Sequence, residues 1–600
     1  MSANLCPRLD YFLTRYAGDA VFDDLHTRLH AVNRGSDDLL SLYHAVIPLI
    51  EQRLWAQGLD EALLEPYQQL FQEMEGHIAG KGQDDRHRFI IVIPVADRPQ
   101  HLKTCLDSLL SLCRLYGYTR LQVLIADDSA GWDNIDQHQQ IAAYFNQQGL
   151  QTIYYGQDEQ RQQIADLTMD QQQQLAPIIG DGHASVFSHK GASIMRNISY
   201  LKLRQLAARD ERVLFYFIDS DQEFRVKVAT VDGGRDCYAI NYFYHLDQIF
   251  SNTDVSILTG KVVGDPPVSP SVMAANFMDD VIHFLKRMRD YSSSQVCQFH
   301  PINVTGVDDA AYHDMADLLG FKSVSKHYDY ACSTQGEHDH SACFKEFSEQ
   351  LNHFFDGEHP TRKSYYQHED LSAGIKPART IYTGNYIFRP AVLKYFIPFA
   401  HLKLRMAGPV LGRIIKAEIS EGFVSANLPM LHKRTIQAIG ESEFRPGIDR
   451  QQNRVDLSGE FERQFFGDVM LFSMETLTAQ GYPTQMIPAE QIEQCLFDTE
   501  VRMSQQYRQK QQQIIEKINL LKGLFYDQHH WWSDAPELDQ ARADFGKFID
   551  NIEHNFGRNS PAYTMIESEE NKAMHHQEIL QAIMGYAKNR DDWQQMLADD

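Results

Sequence analysis

Val213-Leu-Phe-Tyr-Phe-Ile-Asp219-Ser220-Asp221 is the stretch on which the fold turns. Six apolar residues, too few for a free-standing helix and rich in aromatic and branched types, describe a strand buried on both faces. Alternation points Asp219 and Asp221 the same way if extension continues through them. Two carboxylates at the mouth of a buried strand repel each other unless a cation or hydrogen-bond donors stand nearby. A divalent metal is a natural partner, because Mg2+ and Mn2+ share such oxygens with substrate phosphates. The same residues also suit a strand that ends in a solvated Asp-Ser-Asp turn. The surrounding chain decides between the two.

Upstream, Phe89-Ile-Ile-Val-Ile-Pro94 and Leu121-Gln-Val-Leu-Ile-Ala126 are two more buried strands, with a helical pattern over residues 99 to 116 between them. Strand, helix and strand with short links predict a βαβ unit and a parallel sheet. A helix over residues 193 to 208 leads into the opening stretch. The glutamine-rich segment from Gln147 to Gln174 reads as helix and loop rather than strand, and as an insertion. Residues 1 to about 80 carry helical periodicity (Leu39, Leu42, Tyr43, Val46, Leu49, Ile50) up to the polar break Gly80-Lys-Gly82-Gln-Asp-Asp85. From about 485 the chain reads as mainly helical, interrupted at Trp531-Trp532. The expected organisation is a helical N-terminal region at 1–82, an α/β domain at 83–440 with a His/Cys-rich insertion at about 270–380, and a helical C-terminal region at 441–600.

The bulk properties narrow the function classes. A chain of 600 residues exceeds one compact core, and 43% hydrophobic residues suffice for globular packing. A net charge of −25 argues against a nucleic-acid binder, while leaving room for a local basic pocket. Eight cysteines without dense spacing suggest a reduced compartment, and the start Met-Ser-Ala-Asn-Leu-Cys lacks a signal-peptide pattern. No apolar run approaches the roughly 20 residues of a membrane span. The expectation is a cytoplasmic protein with no transmembrane segment.

Four motifs then line up in order: Pro94-Val-Ala-Asp97-Arg98, Ala126-Asp127-Asp128-Ser129, Lys190 with Arg196-Asn197, and Asp219-Ser220-Asp221. In an open parallel sheet, ligands bind beyond the carboxyl ends of the strands. Three polar strand ends could line one crevice there, with Lys190 or Arg196 offering charge to a phosphate. The set resembles the nucleotide-sugar-binding domain of GT-A glycosyltransferases, family 2-like, over roughly residues 88 to 435. Thr383-Gly384-Asn385-Tyr-Ile-Phe-Arg389 resembles the segment that leads to that family's acceptor side.

The resemblance implies a GT-A (Rossmann-like) mixed, mostly parallel sheet flanked by helices, with helical N- and C-terminal extensions. It implies a metal-dependent transfer of sugar from a nucleoside diphosphate sugar (a UDP- or GDP-sugar) to an acceptor hydroxyl, with Mn2+ or Mg2+ as cofactor. By position, Pro94, Asp97, Arg98, Asp127, Asp128, Lys190, Arg196 and Asp219 would bind the nucleotide sugar. Asp221 and His432 would hold the metal, and Gly384, Asn385 and Arg405 would stand on the acceptor side. Lys433 and Arg434 suit either phosphate contact or a solvated basic turn. Inverting members carry an acidic pair after the Gly-Asn segment as base for the acceptor hydroxyl. Here Leu404-Arg405-Met-Ala-Gly408-Pro409-Val-Leu-Gly412-Arg413 contains no carboxylate. Glu369 and Asp370 are the alternative candidates for the base, and Glu418 reads as surface charge.

Two further features stand outside this set. Thr259-Gly260-Lys261-Val-Val-Gly264-Asp265-Pro266-Pro267 reads as a rigid loop that shapes an acceptor pocket or serves as a structural turn. Cys297, His300, Cys332, His338, His340 and Cys343 offer zinc-ligand types at uneven spacing, with scattered thiols and surface histidines as the alternative. A sugar nucleotidyltransferase would open with a Gly-rich loop that Ile93 to Pro99 does not provide. A non-catalytic GT-A-like scaffold, its helical flanks serving binding or homo-oligomer assembly, shares the remaining features.

Overall fold

In the computed structural model, the described residues are 6–31, 37–82, 84–207, 212–230, 233–265, 269–299, 330–436, 442–451 and 454–598. The apolar runs pair as anticipated. Strands β1 (Arg88–Val95), β2 (Leu121–Asp127) and β3 (Thr152–Tyr155) run parallel, and β4 (Val213–Ile218) pairs in parallel with the other edge of β1. After β5 (Gln222–Glu223) comes an antiparallel hairpin of β6 (Val226–Thr230) and β7 (Gly233–Cys237). Strands β8 (Ile257–Gly264), β9 (Lys376–Pro377), β10 (Asn385–Phe388) and β11 (Phe423–His432) complete the main sheet, ordered β3-β2-β1-β4-β10-β8-β11-β5 with β9 beside β11. β10 runs antiparallel to both its neighbours, whereas β8 and β11 are parallel. The result is a mixed, mostly parallel sheet flanked by helices, consistent with a GT-A-like fold.

Both faces of the sheet are covered, which is why its strands are apolar throughout rather than alternating. Ile90, Val92, Phe215 and Phe217 face one core, which continues through Phe277, Phe461, Ile514, Trp532 and Trp593. Phe89, Ile91, Ile93, Leu214, Tyr216 and Ile218 face the other, shared with Tyr43, Phe71, Leu106 and Phe243. The period of two is intact, with each successive residue serving a different core. Each side chain of this size contributes roughly 1.5–3 kcal/mol on full burial. The N-terminal helices therefore pack on one side of the sheet and the C-terminal helices on the other. The apolar cores cross the sequence positions 82 and 440.

Several local readings change. Thr152–Tyr155 is an edge strand inside the glutamine-rich segment. Its polar flanks hide the strand, while Tyr155 is buried against the sheet. Thr259 to Gly264 is strand, not loop: its register runs along β11, and Pro266 and Pro267 lie outside the described residues. Trp532 does more than interrupt a helix, because it is fully buried and donates from Nε1 to the carbonyl of Phe525. No described helix is long and apolar enough to cross a membrane.

The stretch after Leu404 also gains a physical reason. The helix Ala407–Ile419 lies against the backbone of residues 379–381, and a Cβ at Gly412 would come within 2.5 Å of the Thr380 Cα. Gly412→Val forces these two segments apart, an overpacking worth about 1–3 kcal/mol. The expected outcome is a lower urea midpoint with little change in slope.

Candidate functional site

β1 sends its successors β2 and β3 to one side and receives β4 on the other, so the chain reverses direction between β1 and β4. The carboxyl ends of strands at such a reversal leave a crevice that suits a ligand. Here the crevice has a volume of about 360 Å³ and is lined by Pro94, Val95 and Arg98 after β1, Asp128 after β2, Asp219 to Asp221 after β4, and Arg434 after β11.

Asp219, Ser220 and Asp221 form a turn, closed by the Gln222 N–H donating to the Asp219 carbonyl at 3.2 Å. Extension does not continue through the pair, yet the turn still presents both acids to the crevice. Asp219 is the more open, its side chain 34% exposed and accepting from Arg196 Nη2 at 3.0 Å. The backbone passes close behind it, because a Cβ at Gly384 would sit 2.7 Å from Asp219 Oδ2.

Asp221 is buried among cations. Its Oδ2 accepts from Arg434 Nη1 at 2.9 Å and from Arg98 Nη1 at 3.3 Å, and its Oδ1 lies 3.6 Å from His432 Nε2. Burial alone would raise the pKa of this carboxyl, but His432, Arg434 and Arg98 hold it well below the usual range. The His432 ring is oriented from behind, since Nδ1 lies 2.8 Å from the Asp265 carbonyl, which can only accept. That contact places a ring proton on Nδ1 and leaves Nε2 facing Asp221. Asp265 also accepts from the Arg434 N–H at 2.8 Å and from Lys363 Nζ. It thus positions two of the three partners of Asp221, His432 and Arg434, a role not evident in the sequence.

A carboxylate oxygen and an imidazole nitrogen 3.6 Å apart fit a divalent ion that would displace any proton on Nε2 and take its remaining ligands from phosphates and water. An imidazole ligand favours Mn2+ over Mg2+, which demands oxygen more strictly.

The charge around this pair is strongly positive. Besides Arg98, Arg196 and Arg434, the crevice is lined by Lys403, Arg405, Arg445 and Arg463, in a chain whose net charge is −25. Arg405 pairs with the buried Glu460 at 2.8 Å. Burial, with Arg405 adding repulsion, pushes Arg463 down to about 10. Burial, with Arg434, Arg405 and Arg98 nearby, pushes Arg445 down as well. Arg196 Nε and Arg434 Nε are buried without a hydrogen-bond partner among the described residues. The first turns of the helices Ala192–Ala207 and Ala407–Ile419 also open onto the crevice. Unsatisfied donors, excess positive charge and helix N-termini all favour an anion. Lys403, Arg445 and Arg463 were missed because the segments carrying them lie far along the chain. The one signal was a run of spaced basic residues in an otherwise acidic protein.

Other anticipated residues fall behind the crevice wall. Asp127 is fully buried and faces away, with Oδ1 accepting from the Ser129 N–H and Oδ2 bound to His138 and Tyr154 at 2.8 Å each. Asp97, in the left-handed region at φ 52°, accepts from the Ala130 and Gly131 N–H groups, Asn134 and His189. It clips the loops after β1 and β2 together. Lys190 bridges Asp128 at 2.6 Å and the Phe187 carbonyl beneath the crevice floor. Asn385 is fully buried, accepting from Tyr216 and donating to the Lys261 and Leu428 carbonyls, so it ties strands together rather than meeting an acceptor.

Glu369 and Asp370 are exposed and do not line the crevice. Glu369 pairs with Lys376, and Asp370 caps a turn through the Ser372 and Ala373 N–H groups. A base must reach the proton it takes, and these two do not. Glu418, read as surface charge, instead forms a largely buried ion pair with Arg590. The carboxylates that line the crevice among the described residues are Asp128, Asp219 and Asp221.

No protein-family model matches the chain, and no curated protein matches it. Among solved structures, it is similar to the crystal structure of S. aureus TarS 1-349 at 10% identity and a TM-score of 0.25, over 83% of this chain and 91% of that one. A likeness at that level adds nothing to the fold read from the sheet itself.

Proposed function

We propose that the protein is a metal-dependent glycosyltransferase that takes its sugar from a nucleoside diphosphate sugar. The observation that carries this reading is the pairing of Asp221, in the wall of the crevice, with the buried His432 behind it, where the crevice is lined by seven cationic side chains, Arg98, Arg196, Lys403, Arg405, Arg434, Arg445 and Arg463. A departing nucleoside diphosphate gathers negative charge, and preorganised cations stabilise that charge most where water is excluded. Arg98 and Arg434 already converge on Asp221 Oδ2, so they stand beside the same point at which a diphosphate would be bound. Asp221 and His432 would hold Mn2+ or Mg2+, which supplies Lewis-acid stabilisation of the leaving phosphate when bound. Asp128 and Asp221 are fixed by Lys190 and by arginines, with side chains 6% and 5% exposed. Asp219 remains the carboxylate open to sugar or acceptor hydroxyls.

Incubating the protein with a panel of UDP- and GDP-sugars and Mn2+ tests this reading by the nucleoside diphosphate released. Release that needs both enzyme and metal is expected. Pyrophosphate formed from a sugar 1-phosphate and a nucleoside triphosphate would point to nucleotidyl transfer instead. No turnover and no metal-dependent binding across the panel would leave the scaffold reading standing.

A further inference from the structure

Away from the crevice, the structure gathers the cysteines on either side of residues 300–329. Cys297 follows the helix Pro270–Arg289, Cys332 lies beyond the segment, and Cys343 sits in the first turns of the helix His340–Leu351. All three are buried, and their Sγ atoms lie within 4.8 Å of one another. Ligands at about 2.3 Å from a tetrahedral zinc place their sulfurs within ~4 Å of each other, so the cluster needs only a small contraction to match.

Two further observations distinguish this cluster from thiols that merely fill a core. The Phe299 N–H donates to Cys297 Sγ at 3.4 Å. The peptide two residues on thus turns its donor toward the sulfur. Finally, His338 Nε2 stands 3.2 Å from Cys332 Sγ, while its Nδ1 lies 2.9 Å from the Gly336 carbonyl. A carbonyl only accepts, so Nδ1 carries the ring proton and Nε2 presents a lone pair, the tautomer a zinc ligand needs.

We propose that Cys297, Cys332 and Cys343 hold a structural zinc ion, with His338, which stands beside Cys332 but outside the compact group of sulfurs, moving in as the fourth ligand. Three thiolates and one imidazole make up a closed tetrahedral set with no position left for substrate. Thiolates buried together without a cation would be costly, and zinc removes that cost while releasing the thiol protons. The backbone already brings the parts together, with the Cys297 N–H donating to the His338 carbonyl at 2.9 Å and the Cys332 N–H to the Phe299 carbonyl at 2.8 Å. The metal therefore clamps the chain on both sides of residues 300–329 to the helix pair that carries them. His340 takes no part, because its Nε2 accepts from the Gln298 N–H and its Nδ1 donates to the Ser292 carbonyl. His300, the other sequence candidate, lies outside the described residues.

The test uses the full chain, purified under reducing conditions and passed over a chelating resin. Elemental analysis is expected to find about one zinc per chain. Replacement by Co2+ is expected to give thiolate-to-cobalt charge transfer in the near ultraviolet and the visible bands of a tetrahedral ion. His338→Ala is expected to keep the charge-transfer band, alter the visible bands and weaken cobalt binding at least tenfold. Cys332→Ser is expected to lose the metal; if that variant does not fold, the wild-type and His338→Ala spectra decide. Metal-free protein that gives no cobalt bands, or a disulfide between any two of these cysteines in the freshly isolated protein, would overturn the proposal. None of these readouts depends on glycosyl transfer, so the zinc site and the proposed activity stand or fall separately.

Discussion

Replacing Asp221 by asparagine is expected to lower turnover by roughly a hundred- to a thousandfold, the range seen when one preorganised electrostatic group is lost from an active site. The substitution keeps the size of the side chain and removes the charge that faces His432, Arg434 and Arg98. It also unpairs two arginines at a buried position, so stability falls with activity, by about 3–5 kcal/mol on the scale of broken buried pairs. The pH dependence separates the two effects. Folding lowers the Asp221 pKa well below its ordinary value near 3.8. The stabilisation from ionised Asp221 is therefore fully present above that unfolded-state value and is lost as pH falls through the folded-state value beneath it. The stability gap between wild type and Asp221→Asn should be constant across neutral pH and close only in strong acid. Activity should stay low wherever the variant is folded. Wild-type turnover in folded Asp221→Asn protein would show that the pair does not hold a metal that turnover needs.

Arg434→Met carries the second large effect, on binding rather than on the metal. Arg434 donates to Asp221, takes its backbone geometry from Asp265, and leaves its buried Nε without a partner among the described residues. A hydrogen bond to a charged group contributes about 1.5–3 kcal/mol, which corresponds to roughly 10- to 150-fold in affinity. The donor dissociation constant should rise by that factor in calorimetry, while Lys433→Met, whose ammonium pairs with Asp236 at 2.9 Å, should leave it nearly unchanged. Equal effects of the two substitutions would mean that general positive charge, not the crevice geometry, attracts the ligand.

The sheet was legible because burial on both faces leaves unbroken apolar runs, and the helix predicted over residues 99 to 116 is observed as Pro99–Tyr116. β3 was not legible, since an edge strand of four residues needs little apolar sequence and Gln-rich flanks obscure it. At the site, the motifs located the right strand ends but not which of two neighbouring acids faces the ligand. Asp127 ends its strand pointing into the protein and Asp128 points out, a division that follows from alternation only once the exact strand end is known. Glu369 and Asp370 were proposed from proximity in sequence to Gly384, yet the fold leaves them on the surface. The arginines of the crevice wall come from segments as far apart as Arg98 and Arg463, and no local pattern announces that meeting. The cysteines show the opposite case, where uneven spacing concealed a compact cluster.

The central claim is that Asp221 and His432 hold a metal that binds a nucleoside diphosphate in this crevice. The direct measurement is a calorimetric titration of UDP and GDP into wild-type protein, with and without Mn2+, repeated with Asp221→Asn. The account predicts that Mn2+ strengthens binding of one of these nucleotides at least tenfold in wild type and has no effect on the variant. Binding that ignores Mn2+, or that Mn2+ strengthens equally in the variant, would contradict it.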